Sequence, residues 1–170
     1  KPVEDQTVGL NVNEWKYFYL DKDNESVFKI NKGKRLTKSE QNDGGIPYVS
    51  SASLNNGVDN HIGNGFTDNN CISFACYGSI GESFYQKGKV WVSDNANVFY
   101  LRDHELNPYV ALFLTTVLKL EKYRFSYGMT AKKERLQGMR IKLPIDNDGR
   151  PDWKFMERYI KSLAYSASIN

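Results

Sequence analysis

Two runs of positive charge are the first groups in this sequence with a chemistry to offer. Lys29, Lys32, Lys34, Arg35 and Lys38 lie within ten residues that contain no acid. Between Lys119 and Lys142 stand eight basic residues, among them Lys122, Arg124, Lys132, Lys133, Arg135 and Arg140, against only Glu121 and Glu134. Clustered cations raise the local potential even in a nearly balanced chain, so such excess can form the footprint of a polyanion site. The formal net charge is only +3, so the hint lies in the distribution and not in the sum. Two solvated faces would give the same pattern.

Bond-making chemistry finds less support. A phosphate-binding loop ending at Gly33-Lys34 would need a glycine where Phe28 stands and a hydroxyl where Arg35 stands. Gly63-Asn64-Gly65 is not followed by the helix that a dinucleotide fingerprint requires. Asn107-Pro108-Tyr109-Val110 lacks the second proline of an amino-methyltransferase loop, and no glycine-rich cofactor strand precedes it. Glu14-Trp15-Lys16 offers one piece of a nuclease carboxylate cluster without an upstream aspartate. His61, Cys71, Cys76 and His104 lack the paired spacing of zinc ligands. Ser79 in "YGSIG" lacks the glycine placement of a nucleophile elbow. A hydrolase with a dispersed Ser/His/Asp set stays open as an alternative, testable at His61 and His104.

The elements that must position any site are mostly short. The chain has 170 residues and 19.5 kDa, which suits one domain with one core, and eleven tyrosines supply contact area with a polar tip. "EWKYFYL", "SVFKI" and "IPYVSS" read as strands, as do "CISFACY", "ESFYQ", "VWVS", "NVFYL" and "RIKLPI". "SLNNGVDNHIGNGF" reads as a long loop, and "GSIG", "KGK" and "SDNAN" as turns. One helix begins at Asn107-Pro108 and runs to about Tyr123, with Val110, Phe113, Leu114, Val117 and Leu118 on the face that packs on the sheet.

A second helix follows the cap Asp152. Trp153, Met156, Ile160 and Leu163 fall at 3-4-3 spacing, widened by Phe155 and Tyr159. So apolar a stripe needs cover, either from a partner helix, the favoured reading, or from the domain's own core. The expected fold is α+β: a small curved mixed or antiparallel sheet with flanking helices and long loops, followed by a C-terminal connecting helix. The expected division is 1–150 and 151–170. Buried Cys71 and Cys76 would fit a reducing compartment, the cytoplasm. "YVALFLTTVL" is far short of the roughly 20 residues of a membrane span. The chain opens with Lys1, as a processed product or a piece of a longer protein would.

Taken in order, "FKINKGKRLTK", "GGIPYVSSASLNNGV", "ISFACYGSIGESFYQ", "YRFSYG", "RIKLP" and "PDWKFMERYIKSL" resemble the DNA-specificity (target-recognition) domain of type I restriction-modification specificity subunits. Related domains occur in type IIG and IIB restriction enzymes. The resemblance runs from about residue 14 to the end, and the closing Pro-Asp-Trp helix is its most specific piece. It implies sequence-specific recognition of a double-stranded DNA half-site by a non-catalytic component. It also implies a connecting helix that packs against its counterpart and docks methyltransferase subunits. Any S-adenosylmethionine, Mg or ATP would belong to those partners. Family subunits carry two such domains and two long helices, so this chain would be a half subunit that pairs with another copy, or a fragment. The expected helix interface is Trp153, Met156, Tyr159, Ile160 and Leu163.

On that reading, cations fix register on phosphates while groove-facing side chains read bases. Lys32, Lys34, Arg35 and Lys38 form the first phosphate group, and Lys132, Lys133 and Arg135 the second. Ser51, Ser53, Asn55 and Asn56 both donate and accept, as base reading requires, and asparagine suits the paired edge of adenine. Gln86 and Tyr127 are further candidates. Asn55-Asn56-Gly57 would also form a plain turn with no ligand. The alternative is an RNA or single-strand binder that stacks bases on Tyr48, Tyr85, Tyr100 and Tyr127.

Overall fold

Alternating and β-branched stretches fold as strands, as their period of two dictates. The computed structural model describes residues 8–125 and 130–169. The strands are β1 (Lys16–Tyr19), β2 (Phe28–Lys32), β3 (Asp43–Val49), β4 (Val58–Ile62), β5 (Asp68–Ala75), β6 (Ser83–Val92), β7 (Ala96–Leu101) and β8 (Arg140–Leu143). The helices are α1 (Pro108–Leu120), α2 (Lys133–Gln137) and α3 (Trp153–Ser162). Strands β2-β7-β5-β6-β3-β4 form one six-stranded sheet, and β1 pairs with β8 in a separate ribbon. Among the described residues only the β3–β6 pairing is parallel. The α+β class and the curved mixed sheet are as the sequence leads one to expect.

The curvature follows from register. Strand β5 sets Asp68 opposite Val90 of β6 and Ala75 opposite Ala96 of β7. In a flat sheet, seven extended steps would hold those partners about 23 Å apart, and Val92 farther still. Yet Ser93–Asn95 alone join Val92 to Ala96, a reach of about 14 Å at most. The sheet must therefore coil. Opposite Asn70, whose φ is 49°, strand β6 carries two residues, Lys87 and Gly88, for one of β5, and this bulge supplies part of the bend.

One segment closes the coil: the Gly33 amide donates to the Ala96 carbonyl at 3.0 Å, and the next amide, Lys34, to the Val92 carbonyl at 2.8 Å. A β-carbon at Gly33 would lie 2.0 Å from the Ser93 carbonyl oxygen. Only glycine fits there.

On the sheet face opposite Val90, Val92 and Val98, Phe99 stacks on Phe74 and tilts against Phe28, each at 5.1 Å. The apolar face of α1 covers one side through Val110, Phe113, Leu114 and Leu118. Asn107 caps α1 by accepting from the Tyr109 and Val110 amides at 3.0 Å. Asp152 caps α3 by accepting from the Phe155 amide at 2.8 Å.

Several expectations need correction. The loop expected at 53–66 contains β4, an edge strand whose residues Asp59–His61 are exposed and so carry no apolar alternation. "ESFYQ" and "VWVS" are one strand, because β6 continues through Lys87-Gly88-Lys89, where it bulges. The one-and-a-half turns of α2 had no signal.

The largest correction concerns the closing helix. Met156 and Ile160 are buried in the domain's own core, and Leu163 packs on the same cluster. Tyr159 meets Phe113 edge-on at 6.0 Å, and Trp153 stacks on His104 at 5.5 Å. The stripe expected to face a partner covers α1 instead. The physical reason is simple: α1 has an apolar flank beyond what the sheet covers, and 3-4 spacing cannot say which surface a stripe will meet. The helix ends at Ser162, with Leu163 already extended.

Candidate nucleic-acid interface

The two basic runs, a hundred residues apart in sequence, meet at one end of the coiled sheet. Lys32 closes β2 opposite Asn97 of β7. Asn97 is buried, and its amide donates to the Ala131 carbonyl at 3.0 Å. Lys132 is the next residue and the N-terminal boundary of α2, with Lys133 opening the helix. The sheet thus places Lys32 and Lys132, both exposed, on either side of one hydrogen bond.

Beyond Lys32 the chain is held by its backbone, which leaves its side chains outward. The Trp91 indole donates to the Lys34 carbonyl at 2.9 Å and the Tyr48 hydroxyl to the Leu36 carbonyl at 3.1 Å. The Lys34 ammonium rests 5.4 Å from the Trp91 ring, a contact that orients the charge without cancelling it. The Arg35 guanidinium is 76% exposed and 3.8 Å from the Asp94 carboxylate, a pairing too open to hold it tightly. Lys38 begins a turn whose Glu40 accepts from the Thr37 side chain and backbone, which keeps that carboxyl below its ordinary range. Of the first group, Lys32, Lys34 and Arg35 therefore gather beside the closing segment, while Lys38 sits next to an acid.

The loop between β3 and β4 leaves the sheet beside this rim: the Ser93 amide donates to the Val49 carbonyl at 2.9 Å, and Ser93 is also the residue that Gly33 packs against. The Ser50 amide donates to the Gly57 carbonyl at 3.0 Å, and Asn55, Asn56 and Gly57 all take positive φ. Asparagine tolerates that region better than other side-chain-bearing residues. Asn55 donates its side-chain amide to the Val58 carbonyl at 3.3 Å. Asn56 donates to the Tyr85 carbonyl at 3.1 Å and the Gln86 side chain at 3.2 Å. Their donors shape the turn, while both side chains remain exposed, as does Ser53 at the tip. Ser51 lies against Gly78 of the β5–β6 loop, where a β-carbon would come within 3.0 Å of its hydroxyl.

Gln86 is not available to read anything. It is 5% exposed, and its amide donates to the Asn56 carbonyl at 3.0 Å and the Ser73 hydroxyl at 3.1 Å. Because β6 is continuous, its side chain falls on the inner face and clamps the loop from below. No local signal marks this role, since the partner Ser73 lies on another strand.

The second run is partly neutralised. Glu82 pairs with Lys122 and, at 3.8 Å, with Lys119, and Arg124 bonds Glu121 at 2.5 Å. Arg135 donates to the Arg124 carbonyl at 2.7 Å and packs over Phe125. Tyr127 lies outside the described residues.

Other readings lose their residues. The hydroxyl of Tyr85 donates to Asn70 at 2.8 Å and that of Tyr100 to Asp68 at 2.6 Å, while Tyr48 is buried. Three of the four proposed stacking rings are therefore tied inward. Among the described residues no hydrogen bond joins His61 or His104 to a serine or aspartate, and no cluster of three or more His, Cys, Asp or Glu could hold a metal ion. Both cysteines are free and buried, and burial pushes each thiol up to about 12. No described helix is long and apolar enough to cross a membrane.

Comparison with known proteins agrees with this architecture. The family model described as "Type I restriction modification DNA specificity domain" matches residues 14–170. The specificity subunit S.BcgI of a type II restriction enzyme from Heyndrickxia coagulans is 33% identical over 148 residues, covering 86% of this chain and 42% of that protein. Among solved structures, the S subunit of a type I restriction-modification system from M. genitalium superposes with a TM-score of 0.67 at 15% identity, over 91% of this chain and 39% of that one. The HsdS subunit from Thermoanaerobacter tengcongensis gives 0.62 at 17% identity, over 96% and 39%. The chain spans about two fifths of the length of these relatives. With nearly all of its length matched, it belongs to the family of type I restriction-modification DNA specificity domains.

Proposed function

We propose that this domain binds one half-site of a DNA duplex, with the Lys32–Lys34–Arg35 and Lys132 rim on phosphates and the loop around Ser51–Asn56 at base edges. One observation carries the reading: cations from two distant runs meet on one rim, directly beside an exposed loop of hydrogen-bonding side chains. Phosphate contacts orient a duplex without reading it, and the adjacent loop supplies the donors and acceptors that can.

The domain itself carries no chemistry on this reading. Methylation and cleavage, with S-adenosylmethionine, Mg and ATP, belong to methyltransferase and endonuclease subunits that the domain directs in the cytoplasm. Its share of its relatives' length fits one of two recognition halves, and a second half completes the site. With Met156 and Ile160 buried, α3 offers a partner only its outer side, including Lys154, Arg158 and Lys161.

The test is binding of labelled duplexes across a salt series, with selection from a random library. Charge reversal at Lys34 or Arg35 should weaken all duplexes alike and flatten the salt dependence by about one unit of slope per lost contact. Ser53→Ala and Asn55→Ala should instead change the selected sequence. Equal affinity of the Arg35→Glu protein and its parent at low salt would remove the phosphate assignment.

A further inference from the structure

We infer that the outer face of the β1–β8 ribbon is a second phosphate-contact surface, continuous with the rim, across which a bound duplex runs on. This rests on the duplex-binding reading above. The ribbon's register sets Tyr17 opposite Lys142 and Tyr19 opposite Arg140. Between them Phe18 and Ile141 point into the core, so the four alternate residues share the outer face.

There cations and rings interleave. The Arg140 guanidinium lies 5.3 Å from the Tyr17 ring and 5.8 Å from the Tyr19 ring. The Lys142 ammonium is 5.8 Å from Tyr17, and that of Lys22 is 4.5 Å from Tyr19. Tyr17 is 56% exposed. Among the described residues no carboxylate comes within ion-pair distance of Lys22, Arg140 or Lys142. A ring face steadies a cation but leaves its charge intact, so this face carries positive charge that the fold does not use.

The patch also joins the rim. The Arg124 guanidinium donates to the Arg140 carbonyl at 3.3 Å, and Arg135 donates to the Arg124 carbonyl at 2.7 Å. Arg135 stands three residues from Lys132, which the Asn97–Ala131 bond holds near Lys32. Basic groups thus follow one another from Lys32 through α2 to Lys142.

Along a strand, side chains on one face repeat every 6.7 Å or so, close to the separation of neighbouring phosphates. Tyrosine hydroxyls add donors of the kind that bind phosphate oxygens. A protein partner fits less well. Tyr17, Tyr19 and Arg140 would suit a protein interface too, but such interfaces deplete lysine and bury an apolar centre, and this face carries Lys22 and Lys142 and no aliphatic side chain.

The experiment uses the full chain and fluorescence anisotropy, on a duplex selected by the wild type and on a scrambled one, over a salt series. Arg140→Gln/Lys142→Gln should weaken both duplexes by the same factor, roughly tenfold or more at low salt, and reduce the salt slope by about two. Lys22→Gln, the milder variant, should give a smaller loss in the same direction.

Wild-type affinity and slope in a folded double variant, beside a loss in Lys34→Gln, would overturn the ribbon and leave the rim standing. Absence of duplex binding by the wild type would overturn both. Unchanged DNA binding with lost capture of a purified methyltransferase subunit would make the face a protein dock and overturn the inference. Should the double variant melt early, Lys22→Gln and Lys142→Gln singly decide the matter by the same readout.

Discussion

The side-chain amide of Asn97 donates to the Ala131 carbonyl at 3.0 Å while its backbone sits opposite Lys32, so one residue fixes the distance between the two basic runs. Both partners are buried. Asn97→Ala leaves the Ala131 carbonyl unpaired and should cost about 1–3 kcal/mol in urea unfolding. Duplex affinity of the folded fraction should fall as well, because Lys132 is no longer held at the rim. A variant with full stability would show that water replaces the amide.

Gly33 is the closest approach in the coil. Gly33→Ala drives a methyl group against the Ser93 carbonyl, where the gap would be 2.0 Å, so the bonds to Ala96 and Val92 must open. The expected loss is about 1–3 kcal/mol, as for other overpacked sites. Hydrogen exchange at the Gly33 and Lys34 amides should accelerate before that at β5. Unchanged protection there would contradict the closure.

Met156 and Arg158 lie two residues apart on α3 with opposite surroundings. Met156→Ala should destabilise the domain by about 2–5 kcal/mol, and Arg158→Ala by under about 0.5 kcal/mol. Sedimentation of both variants against the parent separates the two fates of the stripe. If Met156→Ala changes association and leaves the melting temperature alone, the helix faces a partner after all.

Burial raises the thiols of Cys71 and Cys76 from the ordinary 9.0 to about 12, so the fold holds them neutral where the unfolded chain ionises them. Their contribution to stability is whole below pH 9 and is lost as pH rises from there toward 12. Urea midpoints at pH 7 and pH 10 should differ, and Cys71→Ala/Cys76→Ala should narrow the gap. Ellman's reagent at pH 8 should label neither thiol until denaturant is added.

What the sequence discloses depends on whether a signal is local. Asn107-Pro108 and Asp152 mark helix starts because a cap bonds amides two or three residues away, and α1 and α3 begin there. The meeting of Lys32 with Lys132, the Gln86 clamp and the burial of Met156 all depend on partners many residues distant. No window of neighbouring residues contains them. Lys87-Gly88-Lys89 misleads for the opposite reason: glycine between lysines has turn chemistry, but here Lys87 and Gly88 form a bulge and pairing with β5 resumes at Lys89. Tyr17 and Tyr19 read only as a strand, since the cations over their rings, Lys22 apart, arrive from β8, more than a hundred residues later.

The Gln86 clamp carries a consequence for retargeting. It grips the loop through the Asn56 main chain and amide, from a strand that belongs to the sheet's interior. If the loop reads bases as proposed, residues 51–54 should therefore be exchangeable as a cassette without recutting the scaffold, provided Asn55-Asn56-Gly57, which hold the positive-φ turn, and Gln86 travel unchanged. A library confined to those four positions explores new surfaces on a fixed mount.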